Sequence, residues 1–250
     1  MKAIYFLFSA VILTSCASSK FEKNKGVSLH QNKNEDTKEA QPIVTRPSEV
    51  LSTGYPNLRL IPIYKVNYNS HGENGYTGNT YTHEKYHSPG DSLNAWHHHF
   101  MPGLVAIYGY NLFNVCHLDL TTSKKQNFFK ENVLVNTVYY PSFAKDTLNG
   151  KPVLRDYFLT SVYDEDTNND SIINQKDLRR FYMFNLEATQ PIELVPSNYS
   201  VLSSEYDYEN DLMYVKARLD ENNNGKRDES EPIHIFKISL DKPKAGERIY

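Results

Sequence analysis

The chain has 250 residues but only two cysteines, Cys16 and Cys116, and a single tryptophan. One disulfide is the most it can form, which excludes the bridge framework of small secreted domains. No apolar run approaches the ~20 residues that a membrane-spanning helix needs. Charge of one sign is also missing: 27 Lys+Arg stand against 30 Asp+Glu, a net charge of -3. Without a basic stripe carrying interleaved aromatics there is no argument for nucleic acid as a partner. Also absent are a G-x-S-x-G elbow, a phosphate-cradling glycine loop and a dinucleotide fingerprint, so those three chemistries have no support.

What is present begins at the N-terminus. Lys2, the apolar run AIYFLFSAVIL and then Leu13-Thr14-Ser15-Cys16 form the charged, apolar and small-residue regions of an export signal. Leu-Thr-Ser-Cys also resembles the bacterial lipobox, which implies lipidation of Cys16 and a membrane tether that does not span; an ordinary secretory signal with a coincidental Cys is the alternative. Residues 1–15 are thus expected to be a lipoprotein signal peptide. Residues 16–50, low in large apolar groups and mixed in charge, are expected to be a lipidated Cys and a disordered tether. Residues 51–250 are one β-rich domain. With Cys16 used for lipid, Cys116 in NVCHLDL has no partner and reads as a buried, inert thiol.

The chain is rich in Tyr and Phe, 19 and 12 residues, and in Val and Ile, which the folded part arranges in short runs that suit strands. Asp166 and Asp220 lie 54 residues apart, and their flanks align without a gap: YFLTSVYDED over DLMYVKARLD, then DLRRFYMFNLE over EPIHIFKISLD. Each copy is a strand, a long acidic loop and a second strand. An earlier copy without the loop is expected at GLVAIYGYN followed by LFNVCHLDLTT, and a degenerate unit at RLIPIYKVNY. The predicted class is all-β, with four-stranded antiparallel units that resemble β-propeller blades. An open β-meander, a β-sandwich and a self-associating half propeller stay open.

The loops carry the clearest chemistry. Oxygen donors at positions 1, 3, 5, 7, 9 and 12 of a twelve-residue loop wrap a hard cation. The first loop offers Asp166, Asn168, Asp170, the Ile172 carbonyl, Asn174 and Asp177; the second offers Asp220, Asn222, Asn224, the Lys226 carbonyl, Asp228 and Glu231. Two calcium ions are expected, with Asn-rich solvated turns as the bland alternative. DTNNDSIINQKDL resembles a dockerin or EF-hand loop, and DENNNGKRD resembles the helix-free loops of integrin-type propeller hairpins. Position 6, ordinarily Gly, is Gly225 in the second loop but Ser171 in the first. Pro232 and the alternation of IHIFKISL predict a strand after the loop, so the helix rotation of sensor EF-hands has nothing to act on.

Six of nine histidines fall between His71 and His99. HEKYH, His83 to His87 with Glu84 between them, formally matches a zinc-peptidase helix. The surrounding polar residues and Pro89 leave no room for that helix, and Leu93 stands where a third ligand would fall, so a polar loop is the preferred reading and zinc is not expected. In WHHHF, a strand would put His97 and His99 on one face, where they could join His83, His87 or Asp91 as a transition-metal site; hydrogen-bonded imidazoles near a rim are the alternative.

Together these features predict an anchored protein of the bacterial cell envelope, at the outer membrane or cell surface. It resembles the uncharacterised lipoproteins common in Bacteroidetes-type genomes, a likeness that carries no activity. Its β domain is expected to be calcium-stabilised and to bind an envelope protein or glycan. A zinc peptidase, a carbohydrate-active enzyme with unrecognised carboxylates and a purely structural component are the alternatives. Metabolic labelling with a palmitate analogue should mark the wild type and leave Cys16→Ala unlabelled; equal labelling of both would remove the anchor.

Overall fold

The computed structural model describes residues 26–28, 32–33, 40–41, 43–68, 74–77, 81–83 and 101–250. Among them every regular element is a β-strand, and the strands pair antiparallel into sheets none of which closes on itself. Three sheets carry the fold. The first runs Thr45–Pro47, Leu58–Tyr68, Leu112–Asp119, Lys125–Asn127 in spatial order, with Leu51–Ser52 and Asn74–Thr77 also on Leu58–Tyr68. The middle sheet runs Tyr81–His83, Leu104–Tyr108, Leu134–Pro141, Tyr157–Tyr163, Arg180–Asn185, Ile192–Glu193. The C-terminal sheet runs Tyr199–Asp207, Leu212–Leu219, Ile233–Ser239, Glu247–Arg248.

Each sheet therefore contains a run of four neighbouring strands, and the second and third runs are those that the 54-residue repeat aligned. The first run corrects the expected earlier copy. Leu104–Tyr108 and Leu112–Asp119 do not form a hairpin: the former pairs with Leu134–Pro141 in the middle sheet, the latter with Leu58–Tyr68 in the first. The chain changes sheets at Asn111, which takes a φ of 56°, a left-handed conformation that Asn tolerates better than most residues. RLIPIYKVNY is thus the true neighbour of LFNVCHLD. The chain between them visits the edge of the middle sheet.

Some of the described residues before 51 also depart from the expected tether. Thr45–Pro47 pairs with Ile63–Lys65, and Val27–Ser28 pairs with Ile173 and Ile172 in the first acidic loop. Val27 is buried, the Asn111 side chain accepts from Gly26 N at 3.3 Å, and Lys65 Nζ donates to the Gly26 carbonyl at 2.7 Å. Apolar Val27 among polar neighbours supplies the docking group that composition averaging hides. Cys16 lies outside the described residues.

The period-2 pleat sorts the middle sheet onto two cores. Leu104, Ala106, Tyr139, Tyr157, Leu159 and Phe181 pack with Val201, Met213, Val215, Phe236 and Ile238 of the C-terminal sheet. The alternate residues Val105, Ile107, Val138, Tyr140, Phe158, Val162 and Phe184 pack with Leu60, Tyr64, Leu112 and Val115 of the first sheet. Every residue of Tyr157–Tyr163 is buried as a result. At roughly 1.5–3 kcal/mol for each large apolar side chain removed from water, these two seams hold the stack. Phe128 sits edge-on to Phe158 and Phe184, with centroids 5.0 and 5.2 Å apart.

Polar pins cross both seams at equivalent positions. Leu186 and Leu240, 54 residues apart, each offer a carbonyl to the preceding sheet. His117 Nε2 meets Leu186 O at 2.8 Å; Arg155 Nη1 and Tyr157 OH donate to Leu240 O at 2.7 and 2.6 Å. Arg155, 4% exposed, also grips Asp211 through both terminal nitrogens, at 2.9 and 2.7 Å, and Pro102 O through Nε at 3.0 Å. Breaking such a buried bidentate pair leaves an uncompensated charge and is costly.

Burial pulls the His117 imidazole below its ordinary value, with the Leu186 carbonyl opposing. A lowered folded value means that the neutral ring's contribution is complete above the unfolded value of about 6.5 and is lost as pH falls through the folded one. Chemical denaturation at several pH values should show stability falling below about pH 6.5 in the wild type and a shallower fall in His117→Gln. Parallel slopes would show that His117 does not carry the effect.

Candidate functional site

Both long loops adopt one hydrogen-bonding scheme, built by their own side chains onto their own backbone. At position 1, Asp166 accepts from the backbone N–H of Asp170 and Ser171 at 3.0 and 2.8 Å, and Asp220 accepts from Asn224 and Gly225 at 3.0 and 2.9 Å. Position 3 repeats the match: Asn168 accepts from Asp170 N and Asn222 from Asn224 N, at 2.9 and 3.0 Å. At position 5, Asp170 accepts from Ile172 N at 3.1 Å and Asn224 from Lys226 N at 2.8 Å. The closing carboxylate reaches back in each copy. Asp177 accepts from the N–H of Asn168 and Asn174 at 3.3 and 2.7 Å, Glu231 from Glu221 and Asp228 at 3.1 and 3.3 Å.

Backbone conformation matches as well. Positions 4 and 6 have positive φ in both copies: Asn169 at 57° and Ser171 at 68°, Asn223 at 56° and Gly225 at 68°. The flanking segments are strands, as the repeat required, so LRRFYMFNL is extended over Arg180–Asn185 and no helix follows either loop.

Burial differs along each loop. Asp177, Asp220 and Glu231 are buried, whereas Asn222 and Asn224 are exposed. Burial, supplemented by repulsion from Asp166 and Asp170, raises the Asp177 carboxyl above the usual range, against the two N–H donors that lower it. Asp228 moves the other way, held low by the amide groups of Asn224 and Asn222, which donate to Oδ2 at 2.6 and 3.4 Å. In the first loop the Asn174 amide donates to the Ile172 carbonyl at 3.1 Å. Among the described residues no group of three or more His, Cys, Asp or Glu is placed to share one ion; the loop donors are carboxylates mixed with amides and carbonyls.

The loops also touch. Thr167, at position 2 of the first, donates from Oγ1 to the Gly225 carbonyl at 2.5 Å, and Thr167 Oγ1 itself accepts from Leu178 N at 2.9 Å. A Cβ at Gly225 would fall 1.8 Å from the Thr167 carbonyl oxygen. Glycine is needed there for space as well as for its φ.

Of the histidine candidates, His83 closes the strand Tyr81–His83, in register with Ala106. That backbone is extended, where a peptidase helix would begin at the same residue. Glu84, His87, Asp91, His97 and His99 lie outside the described residues. Cys116 is free and half-buried rather than fully buried, and burial pushes its thiol up, which disfavours the thiolate. Sequence reading missed His117, Arg155 and Arg179: their partners are remote in the chain, and no local spacing announces them. Comparison with protein-family models, with curated proteins and with solved structures returns no match.

Position 6 gives opposite expectations in the two loops. Ser171→Gly should relieve a left-handed residue and stabilise the domain by up to about 1 kcal/mol. Gly225→Ala should cost roughly 3 kcal/mol or more, since the methyl group has no room. Urea denaturation of both variants checks this, and equal midpoints would contradict it.

Proposed function

We propose that this protein is an exported, lipid-anchored module of the bacterial envelope whose β domain is stabilised by calcium in its two long loops and binds a glycan or a protein. The observation that carries the calcium reading is the repeated scheme of hydrogen bonds and positive φ values in loops of unlike sequence. Beyond the donor spacing, DTNNDSIINQKD and DENNNGKRDESE share only the Asn at position 4, yet both turn their position 1, 3 and 5 side-chain oxygens onto the same backbone N–H groups. The donor chemistry favours a hard cation: oxygen from Asp, Asn, Glu and backbone carbonyl suits calcium and gives thiophilic or imidazole-seeking metals nothing to hold. Asp166, Asn168, Asp170, Ile172, Asn174 and Asp177 would hold one ion. Asp220, Asn222, Asn224, Lys226, Asp228 and Glu231 would hold the other. The ion would neutralise the carboxylates that crowd each loop.

The three stacked runs of four strands support the propeller-like reading of the fold, each run corresponding to a blade that is too small to stand alone. In that arrangement the loops stiffen the two hairpins that carry them. A disulfide-free exported domain gains through ions the rigidity that bridges give elsewhere.

Calcium at about 100 times its dissociation constant should stabilise the domain by about 2.7 kcal/mol for each site, seen as a chelator-reversible rise in melting temperature. Asp166→Ala combined with Asp220→Ala should abolish both the rise and the heat of binding. The pH dependence follows from Asp177. Its raised folded value favours the ion-free domain below the ordinary carboxylate range, and this contribution is lost as pH rises through the folded value. Calcium replaces the proton, so its stabilisation should be fullest near neutrality and shrink as the solution is acidified. Absence of both binding heat and chelator effect would overturn the reading.

A further inference from the structure

Between the middle and C-terminal sheets lies a cleft of about 450 Å³, within the ~300–1,000 Å³ of small-molecule sites. It opens where both sheets bulge. Register slips between Val135 and Thr137 and again between Val201 and Ser203, which leaves Asn136 and Leu202 outside the ladders. Bulges of this kind re-aim side chains and gather near functional sites. Here they help to set Asn136, Thr137, Ser161, Ser203 and Ser204 around the opening, with Phe181 and Val215 also lining it.

Arg179 lines the same cleft. Its Nε donates to the Val201 carbonyl at 2.7 Å and its Nη2 to that of Leu202. Nη1 makes no hydrogen bond to any described residue, and no described carboxylate lies within 4.0 Å of the guanidinium. Arg227, from the second loop, adds like charge nearby. A partly buried cation without a counter-ion is costly unless an anion from outside completes it.

Among the described residues Glu205 is the one acid that lines the cleft, and it narrows the choice of ligand. A bare anion would meet one attractive and one repulsive group. A ligand that carries a carboxylate and hydroxyl donors satisfies both, with Ser203, Ser204 and Asn136 for the remaining hydroxyls and the apolar residues under the C–H face of a ring. We propose that this cleft binds a hexuronic-acid saccharide, its carboxylate on Arg179 and its hydroxyls on Glu205 and the adjoining serines. The proposal names the glycan class within the function proposed above and rests on that reading only for its link to calcium. Arg179 follows two residues after Asp177, the closing carboxylate of the first loop, so order in that loop fixes the base of the arginine.

The test is titration of the full chain with glucuronate and galacturonate by calorimetry and saturation-transfer NMR, in calcium and in chelator. Glucose, acetate and an acidic peptide serve as comparators. A uronate should bind and glucose should not. Arg179→Ala should weaken uronate binding tenfold or more, about the loss of a charged hydrogen bond. Arg227→Glu, on an exposed residue, should weaken it severalfold and keep the fold intact, which decides the matter if Arg179→Ala does not fold. No uronate binding in calcium, or binding unchanged in both variants, overturns the proposal. Acetate or peptide binding as tightly as a uronate overturns the saccharide assignment. Uronate binding without any calcium effect on stability would sink the calcium reading alone; calcium stabilisation without uronate binding would sink the cleft alone.

Discussion

The inner strands of the middle sheet are buried on both faces, and the other described sheets are arranged around that requirement. A strand such as Tyr157–Tyr163 has no solvent side, so its sheet cannot exist without a partner above and another below. The first and C-terminal sheets supply them through two apolar seams, and the carbonyl groups of Leu186 and Leu240 lock the seams in register. Because a buried polar pin must be satisfied or paid for in stability, His117, Arg155 and Tyr157 tie orientation to packing. Sheets that slid past one another would strand all three.

The long loops follow from the same frame. Each leaves one inner strand and returns as the next, so its two ends are fixed a strand spacing apart, and the span between them must fold on itself. Asp and Asn side chains do this by accepting the loop's own N–H groups. The consequence is crowding of carboxylates near a buried closing acid, in a loop whose neighbour presses against it through Thr167 and Gly225. Electrostatic demand in the loops and steric demand between them meet at one place.

Much of this was legible in the sequence, and the losses have physical causes. The interval from Asp166 to Asp220 identified two hairpins and their strands, because hydrophobic alternation and loop chemistry repeat together. The first sheet is not legible in this way, because GLVAIYGYN and LFNVCHLD are adjacent in the chain and of the right length for a hairpin. Adjacent strands usually pair, but here the turn at Asn111 passes the chain from one sheet to another. The pairing of Val27 and Thr45–Pro47 is hidden in the sequence because a short docking segment cannot be seen in an average over polar neighbours. Arg155 with Asp211, and Arg179 with the carbonyls of Val201 and Leu202, depend on contacts that only the assembled sheets create.

The excursion between Tyr68 and Leu112 makes the three units unequal in a way that concerns how such a chain can change. The C-terminal sheet is drawn from one continuous stretch, so it could be exchanged as a block for another sheet that covers the same face of the middle one. The first and middle sheets are interleaved, since strands at Tyr81–His83 and Leu104–Tyr108 belong to one sheet in space and interrupt another in sequence. No single cut separates those two units. Replacement of a whole sheet is therefore open on the C-terminal side alone, whereas the first and middle sheets must be inherited together.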